Sequence, residues 1–145
     1  MRFLFALFFI SSASAEELPK NLLMKCEGRL TILGLETLPH QSKFETTLRL
    51  RDGELSDTGS MWLTTKGCQL TNGVVRCSLK TVVPSRVDNG SERRELQSFI
   101  VRETGEYNHF LETWSFEGRN ASGKQKGNMK WHREGVCRPI SSPIF

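Results

Sequence analysis

Cys68 and Cys77 flank an Asn72-Gly73 dipeptide symmetrically. Asn-Gly is a favoured pair for the two-residue type I′ hairpin loop, because both central residues there need positive φ. With that loop, the facing pairs are Thr71/Val74, Leu70/Val75, Gln69/Arg76 and Cys68/Cys77. Counting outward from the closing hydrogen-bonded pair, Cys68/Cys77 falls on a non-hydrogen-bonded pair, where opposed side chains approach most closely. A cross-strand disulfide fits there. This dictates a local antiparallel register and an oxidising compartment, but it names no reaction and no ligand.

The amino terminus points to the same compartment. Arg2 is a short positive region, Phe3 to Ile10 is apolar, and Ala13-Ser14-Ala15 has the small-x-small form of a signal-peptidase site. Residues 1–15 therefore read as a signal peptide, with 16–21 a leader. As a helix the eight apolar residues rise only about 12 Å against a hydrocarbon core of about 30 Å, too little for a membrane anchor. Export to the periplasm or the extracellular space is expected, with no membrane span after cleavage. The formal net charge is +4, and it falls by one when Arg2 is removed. Acidic and basic residues are interspersed, so a solvated mixed-charge surface is expected rather than a nucleic-acid site.

The chain has four cysteines, which in an exported protein read as two disulfides. With Cys68 joined to Cys77 by the hairpin, Cys26 joins Cys137. Zinc is the competing use of four cysteines, but the sequence has no close Cys-x2-Cys pair and export argues against reduced thiolates. Neither a metal nor a cofactor is expected.

Period-two alternation of apolar and polar residues runs through most of the chain, which is the strand pattern. Met24, Cys26, Gly28, Leu30 and Ile32 share one face, as do Phe44, Thr46, Leu48 and Leu50. Trp62, Cys68 and Leu70 share a parity, as do Val75, Cys77 and Leu79. Asp52-Gly53 and Thr104-Gly105-Glu106 read as turns, and Pro84 ends a strand. Met129 and Trp131 point inward on the last strand. No sustained helical stripe interrupts this pattern. Residues 22–139 are thus expected to form one all-β domain, a single antiparallel meander of about eight strands, with 140–145 a loose tail. Such a meander can close into a barrel or fold as a sandwich. A Cys26–Cys137 bridge favours the closed or partly closed barrel, because there the first and last strands are neighbours.

Glu112 lies between Phe110 and Trp114 on one alternating face that continues to Phe116. If that face is interior, these three residues line a ligand cavity, with the carboxylate pairing to an arginine or protonating. The alternative is that the parity slips at a bulge, or that Glu112 faces solvent near a barrel mouth. His40, His109 and His132 lack metal-ligand spacing and read as surface strand or loop residues. No Gly-x-Ser-x-Gly elbow is present and no thiol is left free, so no catalytic constellation can be named. Arg119, Lys124, Lys126, Lys130 and Arg133 form a basic run whose default place is an outer strand face. Asn89-Gly90-Ser91 and Asn120-Ala121-Ser122 match the glycosylation sequon.

Cys26-Glu27-Gly28 and Gly135-Val136-Cys137-Arg138-Pro139 resemble the ends of small exported bacterial proteins of unassigned function that form compact β-barrels. A second likeness rests on Ala121-Ser122-Gly123-Lys124 with Trp131 downstream, which is similar to the Ser-Gly loop of the periplasmic inhibitors of c-type lysozyme. There the loop enters the enzyme's cleft, and the resemblance implies that Ser122 and Lys124 would meet its catalytic carboxylates. This chain departs from that family in carrying Gln125 and Lys126 where a tyrosine is expected, and in its extra Cys68 and Cys77.

The expected function is therefore a non-enzymatic exported barrel that binds a small molecule or an envelope partner, with inhibition of a lysozyme-like hydrolase as the alternative. A wide interior pocket reached by Glu112 would favour the first, and a filled interior with a rigid loop at Ser122 the second.

Overall fold

The computed structural model describes residues 16–34 and 39–140, the side chains of residues 60–62 excepted. The signal-peptide reading of residues 1–15, the tail at 141–145 and the parity of the Trp62 side chain lie outside the described residues. Eight strands follow one another: β1 (Asn21–Gly34), β2 (His40–Arg51), β3 (Glu54–Asp57), β4 (Ser60–Thr71), β5 (Val74–Pro84), β6 (Ser91–Val101), β7 (Glu106–Phe116) and β8 (Gln125–Pro139). Each pairs antiparallel with the next, and β8 returns to β1, closing a barrel. No helix occurs among the described residues. The barrel is the closed form expected from the cysteine positions, and the sandwich is excluded.

Closure is pinned where Cys26 faces Cys137 across the β1–β8 ladder, and the two are disulfide-bonded. Two positions further along, Gly28 faces Gly135. A Cβ on either would lie 2.0 Å from a backbone oxygen of the opposite strand, Glu134 O for Gly28 and Glu27 O for Gly135. Only glycine permits that approach. The neighbouring strands fill the missing side-chain volume from inside. Phe44 faces Gly28 and Tyr107 faces Gly135, and their rings meet edge to face at 6.2 Å.

The Asn72-Gly73 hairpin forms with both residues at positive φ (51° and 71°), and Gln69, Leu70 and Thr71 face Arg76, Val75 and Val74 as expected. Beyond Gln69 the ladder shifts at Gly67, φ 59°. Cys68 therefore stands at a bulge rather than in an uninterrupted pair, and it is bonded to Cys77 from there. A one-residue bulge reverses which side chains point inward. Upstream of it the buried positions are Leu63 and Thr65.

The leader is tied to the barrel. Glu16 bridges to Leu70 and ion-pairs with Arg102. At the other terminus Ile140 N donates to Leu23 O at 2.9 Å.

Candidate binding site at the open end of the barrel

The two ends of the barrel are built differently. At one end the connections are Asp52-Gly53, Asn72-Gly73 and residues 102–105, and both disulfides lie near it. At the other end the described connections are the short 58–59 turn and the longer 85–90 and 117–124 loops. Tight turns need few residues to reverse a strand, whereas longer loops can carry recognition on a rigid frame.

Inward-facing side chains follow this asymmetry. Toward the tight-turn end, Met24, Leu48, Leu50, Leu55, Leu70 and Val75 are all buried around the two disulfides. Toward the loop end, the inward positions Leu30, Ile32, Leu79, Thr81, Thr113 and Trp131 are only half-buried, and Met129 is 40% exposed. Inside a closed barrel, partial exposure means that solvent enters from that end. The interior is thus filled at its base, and toward the loop end its inward side chains, apolar ones beside Thr81, Thr113, Glu92 and Arg94, are partly exposed and form a cup. One cup wall is reinforced by Leu63, Leu96 and Leu111, which pack against Leu79 and Trp131. Arg94 and Glu92 form an ion pair of 2.5 Å on inward positions of β6 near the rim.

A polar layer separates cup from base. Arg133 faces Leu30 on one side and His109 on the other. Its Nη1 donates to Asp57 Oδ2 at 2.6 Å, and the Asp57 side chain is 1% exposed against 14% for Arg133. Asp57 Oδ1 accepts from Thr46 Oγ1 at 2.5 Å and from Gly59 N at 2.8 Å. The Arg133 guanidinium also lies 5.2 Å from the Phe44 ring centroid. Alongside it, His109 Nδ1 and Ser98 Oγ are 2.7 Å apart, and Ser98 Oγ is 3.2 Å from Thr65 Oγ1. Burial lowers the His109 pKa to about 4, assisted by the Arg133 charge. Burial likewise pushes the Tyr107 phenol upward.

His109 is therefore not a surface residue, as its isolated position in the sequence suggested, but is 2% exposed. Arg133 leaves the basic run for the interior, while Arg119, Lys124, Lys126 and Lys130 are exposed. The Ser98–His109 contact has the length of a nucleophile–base pair. Both groups are buried in the barrel interior, Ser98 at 1% and His109 at 2% exposure.

Phe110, Glu112 and Trp114 require correction. They face outward, and the inward row of β7 is Tyr107, His109, Leu111 and Thr113. The cause is the β7–β8 register: Cys137 is inward, so Gly135, Arg133 and Trp131 are inward, and the residues facing them on β7 follow. On the outer face Phe110 stacks on His132 at 4.3 Å, and Arg93 lies 4.4 Å over Trp114. Glu112 Oε1 accepts from Asn128 Nδ2 at 3.0 Å and pairs with Lys130 at 3.6 Å. No wide interior pocket is reached by Glu112.

Ser122 and Lys124 are exposed on the 117–124 loop at the rim. Asn120 and Ala121 both have positive φ, 59° and 53°, a rare backbone for non-glycine residues that local bonds must hold. Glu117 N donates to Lys124 O at 2.8 Å, Ala121 N to Ser91 Oγ at 2.8 Å, and Ser122 Oγ to Arg119 O at 2.6 Å. The adjoining 85–90 loop is tied in by Lys126 bonding Asp88, whose pKa drops to about 2 through that ammonium and the Gly90 N–H. A notch of about 400 Å³ lies between the two loops, with Arg119 and Asn120 on its lip. Both sequons lie beside it, and the Ser91 hydroxyl of the first is the acceptor for Ala121.

An outer saddle of about 1100 Å³ crosses the glycine pair and carries charges of both signs, among them Glu27, Arg29, Glu106 and Glu134. Among the described residues no group of three or more His, Cys, Asp or Glu could hold a metal ion, and no helix is long and apolar enough to cross a membrane. No protein-family model matches this chain, and no curated protein matches it in sequence.

Proposed function

We propose that this protein is an exported, non-enzymatic binding barrel that takes the apolar part of a small amphipathic molecule through its loop-bearing end. The carrying observation is the change in exposure along the inward rows, from Met24 and Cys26 at the sealed base to Leu30 and Ile32 at the cup. Half-buried apolar walls with a few polar groups at the bottom are the usual composition of a small-molecule site. The two disulfides fit an oxidising compartment and stiffen the base against which the cup is held. The test is fluorescence titration with the neutral probe N-phenyl-1-naphthylamine. Binding is expected for the native protein, retained in Phe110→Ser on the outer face, and lost in Ile32→Glu inside the cup. Equal binding by the native protein and Ile32→Glu, or none by either, would overturn the reading.

The 117–124 loop favours a second reading, inhibition of a lysozyme-like hydrolase. Its support is the set of bonds that holds Ser122 and Lys124 in fixed positions at the rim, since a pre-ordered loop loses little entropy on entering a cleft. Native protein should then slow a c-type lysozyme, and Ser122→Ala with Lys124→Ala should relieve it. Full lysozyme activity in the presence of excess native protein would eliminate this reading for the enzyme tested.

A further inference from the structure

Three interior nitrogens, His109 Nε2, Trp131 Nε1 and Arg133 Nε, are shielded from solvent and have no hydrogen-bond partner among the described residues. They lie on adjacent strands at the floor of the cup. His109 faces Arg133 across the β7–β8 ladder, and Trp131 is the next inward residue toward the open end. Trp Nε1 and Arg Nε carry hydrogens and can only donate. For His109, Nδ1 is engaged by the Ser98 hydroxyl, itself in contact with Thr65. When Ser98 donates to Nδ1, the ring proton sits on Nε2, making it the third donor.

The acceptors of the floor itself are few: the Tyr107 phenol lies against the Arg133 side chain. The carboxylate of the layer, Asp57, is already taken by Thr46, Gly59 and Arg133. Buried donors normally find a partner, and three together without one leave the layer short of acceptors. The route open to an acceptor from outside is the loop end, where Trp131 and Arg133 are half-buried rather than sealed.

We infer that the ligand of the cup is an amphiphile with a carboxylate head, seated against Trp131, Arg133 and His109 with its apolar tail along Leu30, Ile32 and Leu79. A carboxylate only accepts, and its two oxygens offer about four lone-pair sites, enough for all three nitrogens. A hydroxyl head would offer fewer acceptor sites and add a donor of its own. The Arg133 charge, held in place by Asp57, gives the head a cation within the layer without a free arginine having to be ordered on binding. This inference rests on the cup being the binding site, and it adds the head-group chemistry.

The probes are straight-chain carboxylates from six to sixteen carbons and the 1-alkanols of matching length, titrated calorimetrically into the native protein at pH 7.5. The carboxylate of the best length is expected to bind at least tenfold more tightly than its alcohol. Trp131→Phe keeps an aromatic ring and removes one donor, and it should shrink that preference about fivefold while leaving alcohol binding nearly unchanged. His109→Leu, checked for native circular dichroism, should do the same. Equal affinity for acid and alcohol would mean that water alone satisfies the nitrogens, and would overturn the head-group inference while leaving the cup intact. A preference unaltered in both variants would also overturn it. Binding of neither series at any length would overturn the cup reading itself.

Discussion

Acid should destabilise this barrel, and His109 should carry a separable share of the loss. Its ring is buried beside the Arg133 guanidinium, and burial holds its pKa at about 4 against an ordinary 6.5. Asp57 acts in the opposite sense and His132 adds slightly to the lowering. Between those two values the unfolded chain binds the proton and the folded chain does not, so falling pH favours unfolding. The stabilisation is fully present above pH 6.5 and is lost progressively as pH falls toward 4. Integrating the linkage over that window, the loss between pH 7.5 and 4.5 is about 2.5 kcal/mol from this group alone. The measurement is made as a difference between two proteins, so that any loss common to both cancels. His109→Gln retains an amide that can meet Ser98 and removes the titration. Urea unfolding of both proteins at pH 7.5, 6.0 and 4.5 isolates the term. The native protein should lose about 2.5 kcal/mol more than the variant across the series. Parallel losses, within about 0.5 kcal/mol, would refute a buried neutral His109.

Further expectations follow from the base and the polar layer. Removing the Cys26–Cys137 bridge by double alanine substitution should cost about 5 kcal/mol, against about 2.7 for Cys68–Cys77, because it closes the far longer loop; unfolding midpoints compare the two. Gly135→Ala should cost about 3 kcal/mol or more, because its Cβ would sit 2.0 Å from Glu27 O, a rigid backbone atom, and thermal unfolding against native protein measures this. Asp57→Ala leaves Arg133 buried without its carboxylate and should cost about 3–5 kcal/mol, whereas Asp57→Leu with Arg133→Met should recover most of that loss. A double-mutant cycle in urea checks both, and equal losses would argue against the pair.

What could be read in the sequence was what cysteines anchor. Cys26 and Cys137 set the parity of β1 and β8, so the inward direction of Met129 and Trp131 was legible, and barrel closure followed from the same pair. Strand β7 has no such anchor. Two alternating sets compete there, Phe110-Glu112-Trp114 and Tyr107-His109-Leu111, and the first looks more hydrophobic. The second is buried because register is inherited across the ladder from Cys137, and the displaced aromatics are covered outside by His132 and Arg93. The Gly67 bulge carried a hint in its glycine, but alternation alone cannot place a single inserted residue. Asp57 was hidden by the shortness of β3, where the alternating pair Leu55 and Asp57 was the whole signal. The polar layer and its three unsatisfied nitrogens depend on which strands lie side by side, which spacing along one strand does not encode.

Binding in the cup is tested most directly by following the tryptophan indole N–H signals by NMR while native protein is titrated with the amphiphile series. Trp131 lies in the cup and Trp114 on the outer face under Arg93. The Trp131 indole resonance is expected to shift with saturation and to move downfield with the carboxylates, while Trp114 stays in place. A shift confined to Trp114, or an unmoved Trp131 at ligand excess, would contradict binding in the cup.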